Sequence, residues 1–431
     1  MDDSTSHPTC EAESPADPWA CNPWTRRKFL SGLGMVGVAA LGTQLVTTRL
    51  AFGTTPAAGP NTVIVIFLRG GADGLRILSP QSSALGLDYL KTIRNGLVPA
   101  DAQVVSLPGT SGFALNAALK PLYDQLWATG ELAFVPAVSA TGVSRSHFQA
   151  QQFIEKGGSD TISSGWLDRA LGQLGSGTPF RTIASGYDSP ASLAGDIPSI
   201  TMSSLADFTF PGWDQIRPQS QATVSALYRG LATPLAADVA GTISALNTAA
   251  TVRAGAAVQN GAVYPQGDFA SSLQDLASIL RAEVGLQVAT IDVGGWDTHT
   301  DEVNQLDALL TDAAAALTAF FTDLGPTRRS RVTVVVQTEF GRRVEMNDSA
   351  GADHGTGGVV WLMGGGLAGS GVYGKWQPLM SDSDLDDGDV PGLNNVFDVL
   401  GEITQKRLGV GSLTSIFPSH PVTPIGLATT A

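Results

Sequence analysis

The sequence predicts an α/β fold with a largely parallel central sheet. Three observations carry this expectation. Residues 61–68 (NTVIVIFL), 131–138 (ELAFVPAV), 285–292 (GLQVATID) and 332–337 (VTVVVQ) are apolar runs too short for helices of their own. Strands buried on both faces of a parallel sheet have this character. Segments of helical spacing separate them, among them residues 117–129 and 306–324. Acidic and histidine residues cluster directly after the runs, where open α/β sheets bind their ligands.

The 431 residues, 43% hydrophobic and 15% charged, suffice for one large domain with a substantial core. Fifty glycines imply many tight turns. The net charge of −14 argues against a nucleic-acid partner, because phosphate backbones need a basic face. It leaves room for a small anionic substrate, since a bound metal ion inverts the local field. Both cysteines, Cys10 and Cys21, precede residue 54, so without that segment no thiol remains for a disulfide or for thiolate chemistry.

Taken in order, residues 1–24 are polar and contain proline. Arg26-Arg27-Lys28-Phe29-Leu30 follows, then a Gly/Ala-rich apolar run over 32–46 and a small-residue site at Ala51-Phe52-Gly53. Residues 1–53 therefore read as a twin-arginine export signal, with the twin-arginine translocase as a transient partner and the periplasm or exterior as destination. The run is short and rich in glycine, which speaks against a permanent membrane anchor. Gly32, Gly34 and Gly37 match GxGxxG, but no strand precedes them, so the match is set aside as a nucleotide site.

The run over 61–68 feeds Arg69-Gly70-Gly71-Ala72-Asp73, where Asp73 is either a site residue or the cap of the next helix. The run over 131–138 leads to SATGVSRSH, before a helix starting near Phe148. Ser144 and Ser146 are candidate nucleophiles beside His147; Ser146 reads equally as an N-cap. Residues 180–202 read as short strands and loops. Residues 216–285 are Ala-rich and helical, with Leu273, Leu276 and Leu280 on one face, and read as a helical insertion or cap. The run over 285–292 leads to Gly294-Gly295-Trp296-Asp297-Thr298-His299, where a carboxylate and an imidazole two apart can converge on one cation. The run over 332–337 ends in Thr338-Glu339-Phe340-Gly341-Arg342, and a loop then delivers Asp353-His354 before a second apolar run over 359–363. The acidic loop over 381–389 departs from the EF-hand spacing and reads as a solvated turn. Residues 394–408 read as a last helix, and His420 lies in a Pro-flanked tail.

Asp73, Asp297, His299, Glu339, Asp353 and His354 are thus candidate ligands of a divalent metal (Zn²⁺, Mn²⁺, Ca²⁺ or Mg²⁺). Ser146, Ser144 and His147 are candidates for catalysis, and Arg69 or Arg342 for gripping an anionic ester.

The twin-arginine signal together with FLRGGADGL, SRSHF, GGWDTH, TEFGRR and DHGTGG resembles the exported bacterial family called domain of unknown function 1501. That family resembles in turn the alkaline phosphatase and sulfatase superfamily. The resemblance implies a three-layer sandwich spanning 54–431 and metal-dependent hydrolysis of phosphate or sulfate esters through a nucleophile such as Ser146 or Ser144. It implies that Asp73, Asp297, His299 and His354 serve as metal ligands. The chain departs from the superfamily in two places: its Asp-x-x-x-His is compressed to Asp297-x-His299, and Phe340 stands where a second histidine ligand is usual. The rival expectations are an exported binding or scaffold protein on the same fold, and a metal-free esterase using Ser146 and His354. The latter lacks the GxSxG elbow.

Overall fold

The computed structural model describes residues 60–430, apart from 111, 141, 143 and 160. The export signal expected over 1–53 lies outside the described residues. Along the chain come β1 (Thr62–Leu68), α1 (Gly74–Ile77), β2 (Leu78–Pro80), α2 (Leu87–Ile93), β3 (Val104–Ser106), β4 (Phe113–Asn116), α3 (Lys120–Leu126) and β5 (Leu132–Ser139). Next are α4 (His147–Glu155), α5 (Trp166–Gly172), β6 (Thr182–Ser185), β7 (Ile200–Met202), α6 (Arg217–Tyr228), α7 (Pro234–Ala254) and α8 (Asp268–Arg281). The last third holds β8 (Val288–Val293), α9 (Glu302–Arg329), β9 (Val332–Gln337), β10 (Gly358–Gly364), β11 (Gly371–Val372), β12 (Asn394–Asn395) and α10 (Val396–Ile403).

The main sheet runs β11-β5-β10-β9-β1-β8-β6-β7, with β12 also on β5. Its pairings are parallel except for those of β10, which lies antiparallel to both β5 and β9. The largely parallel sheet expected from the apolar runs is therefore present. A second, antiparallel sheet orders β2-β4-β3.

Period-two alternation divides the strand side chains between two cores. Ile64, Ile66, Ile291, Val334 and Val336 join Leu273 and Leu276 of α8 and Leu306, Leu310 and Leu317 of α9 in one. Val63, Val65, Val335, Val360 and Leu362 join Ile154 of α4, Leu167 of α5 and Leu400 of α10 in the other. Helices thus cover both faces, giving three layers. Ala245, Leu246, Ala249 and Val252 of α7 are buried on the α8–α9 side, so this part of the 216–285 stretch packs into the sheet's own core. Helix α9 is long and apolar enough to cross a membrane, but more than half of its apolar window is buried in that core. Its helical path breaks at Gly325 (φ 66°), and a further turn runs on to Arg329.

The register sets up the site. Leu68 pairs with Val293 and Phe67 with Gln337, so β1, β8 and β9 end at one level. Because β10 runs the other way, its first residue, Gly358, lies opposite Val138 near the end of β5. Chain that precedes β10 therefore reaches the same sheet edge as chain that follows β5, β8 and β9.

Candidate metal centre

Local rules explain how the loops meet at this edge. Gly70 has φ 133°, and a Cβ there would stand 2.4 Å from the Asp297 backbone nitrogen. Only glycine lets the β1 loop pass beneath the Asp297 loop. Trp296, 1% exposed, anchors that loop in the core. Beyond β9 and before β10, the Gly341 N–H donates to the Thr356 carbonyl (3.0 Å) and the Arg343 N–H to that of Asp353 (2.8 Å). The β9–β10 ribbon is thereby extended, and His354 is fixed opposite Arg342.

Three imidazoles and one carboxylate converge there. Asp297 Oδ1 lies 3.1 Å from His299 Nε2 and 3.2 Å from His354 Nε2. Asp297 Oδ2 lies 3.3 Å from His147 Nε2. His299 Nε2 and His354 Nε2 are 3.0 Å apart. The other ring nitrogens are tied back: His147 Nδ1 to Glu339 Oε1 (2.7 Å), His299 Nδ1 to Asp353 Oδ1 (3.2 Å) and His354 Nδ1 to the Arg145 carbonyl (2.9 Å). These acceptors keep the proton on Nδ1 in each ring, which turns all three Nε2 lone pairs toward Asp297. The Phe340 ring packs below, its centroid 4.9 Å from that of His147 and 4.8 Å from that of His354.

Such a donor set fits a metal ion. Two lone pairs 3.0 Å apart repel unless a proton or cation lies between them. His147 Nε2 is buried and makes no hydrogen bond, because the Asp297 contact at 3.3 Å is poorly directed. The ligating atoms of His147, Asp297 and His354 all lie within 4.8 Å of one another. Donors bound tetrahedrally at about 2.0–2.1 Å stand about 3.3 Å apart, so a small inward adjustment of these three closes a site with one position left open, and His299 stands beside the trio rather than within it. Burial pushes the Asp297 carboxyl up. The hydrogen bond and charge of Arg342 outweigh this and hold it below the usual range, so that it stays ionised. The Asn347 hydrogen bond foremost lowers Asp353; burial opposes it next, and the hydrogen bond to His299 adds to the lowering.

Of the residues expected at a metal site, Asp297, His299 and His354 are brought together. His147, expected as a catalytic neighbour of the serines, joins them. Glu339 and Asp353 stand behind the histidines as the acceptors that orient them. Glu339 Oε1 also accepts from Gly70 N (2.9 Å) and Gln151 Nε2 (2.8 Å), and its Oε2 accepts from Thr338 Oγ1 (2.9 Å), so this buried carboxylate is fully engaged.

Asp73 is not in the group. It caps α1 by accepting from Leu75 N (3.0 Å) and pairs with Arg94. The two expected anion-gripping arginines are committed elsewhere. Arg69 binds Glu155 (2.8 Å) and Asp292 (2.8 and 2.9 Å). Arg342, 1% exposed, donates to the carbonyls of Gly70, Gly71, Trp296 and Ala352 and to Asp297. Ser146 holds the N-cap position of α4 but makes no cap bond, and it is exposed; Ser144 Oγ accepts from Ser146 N (3.0 Å). His354 pairs with no serine among the described residues, so the Ser146–His354 dyad is not assembled. The acidic loop is not wholly solvated either: Asp389 is buried and accepts from Arg145 (2.6 Å) and Thr356 (2.8 Å).

A buried cluster beside the site carries no sequence signal. Arg94 pairs with Asp73 and lies 3.8 Å from Glu302, all three within the core. Burial first, and then the Asp73 charge, push the Glu302 carboxyl up to about 9. Its oxygens make no hydrogen bond as an ionised group and have only the longer Arg94 contact; protonated, it donates to Asp73. Burial would raise Asp73, but Arg94 and that donated bond hold it low. The folded protein thus keeps a proton on Glu302 that the unfolded chain releases near 4.5. The stabilisation is full below the lower value and is lost as pH rises through the upper one. Glu302→Gln keeps the donor and cannot ionise. We expect wild type to lose more stability than this variant between about pH 6 and pH 9, read as urea midpoints at each pH.

No curated protein matches the chain. Among solved structures it is similar to the zinc complex of the C-terminal periplasmic domain of EcEptC from Escherichia coli, at 11% identity, over 89% of this chain and 87% of that one, with a TM-score of 0.34. It is similar also to the lipoteichoic acid synthase LtaP from Listeria monocytogenes (11%, 78% and 74%, 0.31). A third is an alkaline phosphatase mutant from the Antarctic bacterium TAB5 with Mg bound in the M3 site (11%, 73% and 94%, 0.31). Residues 140–411, more than half of the chain and including His147, Asp297, His299 and His354, match the family described as Protein of unknown function (DUF1501). The chain belongs to the DUF1501 family.

Proposed function

We propose that the chain is an exported metal-dependent hydrolase of phosphate or sulfate esters. The observation that carries this reading is the convergence of three Nε2 lone pairs and the Asp297 carboxylate, each imidazole held by its own acceptor. Three imidazoles and one carboxylate suit Zn²⁺ better than Ca²⁺ or Mg²⁺, which prefer all-oxygen sets. Held by His147, Asp297 and His354, such an ion would keep a fourth position open and supply Lewis acidity toward an ester oxygen there.

The chain's own residues supply the rest. Ser146 is exposed, directly precedes His147 and leaves its hydroxyl free of a cap bond. The first N–H groups of α4 lack helical partners and favour an anion beside that serine. Asp297, kept ionised by Arg342, and the oriented imidazoles hold the site's geometry before substrate arrives. Export rests on the twin-arginine pattern at Arg26-Arg27.

A second reading is favoured by the commitment of Arg69 and Arg342 to internal partners, which leaves neither free to grip an anion. On it the chain is a binding or scaffold protein, with a structural metal or none. Elemental mass spectrometry on chelator-free protein, followed by turnover of aryl phosphates and aryl sulfates, separates the two. The hydrolase reading expects bound divalent metal, lost in Asp297→Ala/His299→Ala, and turnover that Ser146→Ala abolishes while metal is retained. Metal without turnover of either ester class supports the scaffold. A wild type still empty after loading with Zn²⁺, Mn²⁺, Ca²⁺ and Mg²⁺ sinks the hydrolase reading and leaves a metal-free scaffold.

A further inference from the structure

We infer a second binding site, for an alkyl diamine or polyamine, at the carboxyl ends of β6, β7 and β8. A cavity of about 480 Å³ opens there, within the size range of small-molecule pockets. Asp188 follows β6, Asp207 follows β7, Asp268 begins α8 and Asp292 lies near the end of β8; all four line the cavity. No lysine, arginine or histidine lines it. Asp292 is neutralised by Arg69 at 2.8 and 2.9 Å. Asp188, Asp207 and Asp268 have no cationic partner among the described residues.

Exposed aspartates alone would say nothing about a ligand, because water satisfies them. The floor of the cavity says more. Ser185 and Ser272 line it from the same face of the sheet and are only 8% and 9% exposed. Their hydroxyls make no hydrogen bond within the described residues. Enclosed polar side chains are normally bonded, so two hydroxyls that are open to this cavity and bonded to nothing else mark a place for donors from outside. Phe269 and the exposed Tyr187 complete the wall with aromatic rings.

The chemistry selects the ligand. Three uncompensated carboxylates repel an anion, which separates this cavity from the ester site proposed above. A neutral polyol would bond to the hydroxyls and leave the charges unmet. A single divalent ion occupies a small part of such a volume. An ammonium group donates to hydroxyl oxygens, neutralises carboxylates through charge-assisted bonds, and is attracted to ring faces. Several spread carboxylates suit a chain with two or more such groups. Asp297 lies five positions after Asp292, at most about 18 Å away at full extension, so a bound amine shares the sheet edge with the candidate metal centre.

The inference does not depend on metal or on hydrolysis. Isothermal titration of the full chain with 1,4-diaminobutane at low salt tests it, alongside Asp188→Asn/Asp207→Asn/Asp268→Asn, Ser272→Ala and Asp297→Ala. We expect saturable binding that added salt weakens. The triple variant should weaken it at least about tenfold, Ser272→Ala by less, and Asp297→Ala not at all. The three aspartates are exposed, so their replacement preserves the fold, checked by circular dichroism. No saturable diamine binding, equal binding by the triple variant, or binding of glucose or calcium chloride in place of the diamine overturns the inference.

Discussion

Replacing His354 by alanine should lower zinc affinity by more than about a hundredfold and leave the protein folded. The ring is 24% exposed on its side-chain surface and sits on Phe340 at the open side of the site, so its loss creates no sealed cavity and no buried unpaired charge. What disappears is one Nε2 lone pair, 3.2 Å from Asp297 and 3.0 Å from His299 Nε2. Glu339→Gln provides the graded comparison. It leaves every converging donor in place but replaces the acceptor of the His147 Nδ1 proton with a neutral amide. Changes to such outer groups cost about ten- to a hundredfold in metal affinity, so this variant should fall between wild type and His354→Ala. Competition with a chromogenic zinc chelator measures all three. Equal affinity in wild type and His354→Ala would place the bound metal away from this group.

The ordering of those variants bears on what the sequence carried. The apolar runs foretold β1, β5, β8 and β9, because a strand buried on both faces must be apolar along its length. The principle that ligands gather past the strands' carboxyl ends then located Asp297 and His299. His354 needed one more fact. It precedes a strand, and it reaches the site because β10 is antiparallel to both neighbours. Strand direction leaves no trace in a run such as GVVWLMG, so the sequence placed the residue without explaining how it arrives. The division between ligand and support was also hidden. Glu339 and His147 sit in equally suggestive loops, and only the 2.7 Å bond between them shows that Glu339 stands behind the ring while His147 faces Asp297. Asp73 was open between cap and site, and the cap reading is the one the structure holds. Arg94 and Glu302 had no signal, since nothing local distinguishes an arginine or glutamate bound for the core.

Arg342 is where residue type misled most, and it gives the largest stability effect. Arginine after a strand suggests a grip on a substrate anion. Here the side chain is inside, with Nε donating to the Gly71 carbonyl (2.5 Å), one terminal nitrogen to that of Ala352 (2.9 Å), and the other to those of Gly70 and Trp296 (3.1 Å for the latter) and to Asp297 Oδ1 (2.7 Å). One guanidinium thus ties the β1 loop, the Asp297 loop and the loop leading to His354 into a unit. Arg342→Met restores most of the volume and none of these bonds. It leaves buried carbonyls without donors, each costing about 1–3 kcal/mol, and takes from Asp297 the charge that offsets its burial. We expect a loss of about 3–5 kcal/mol in urea unfolding, with zinc affinity falling as the loops separate. Arg342→Lys should recover only part of this, because a single ammonium cannot span four carbonyls. An arginine that gripped substrate would behave otherwise: its loss would raise KM for the ester and leave the unfolding midpoint unchanged. An unshifted midpoint for Arg342→Met would return the residue to that role and leave the three loops to be held by other contacts.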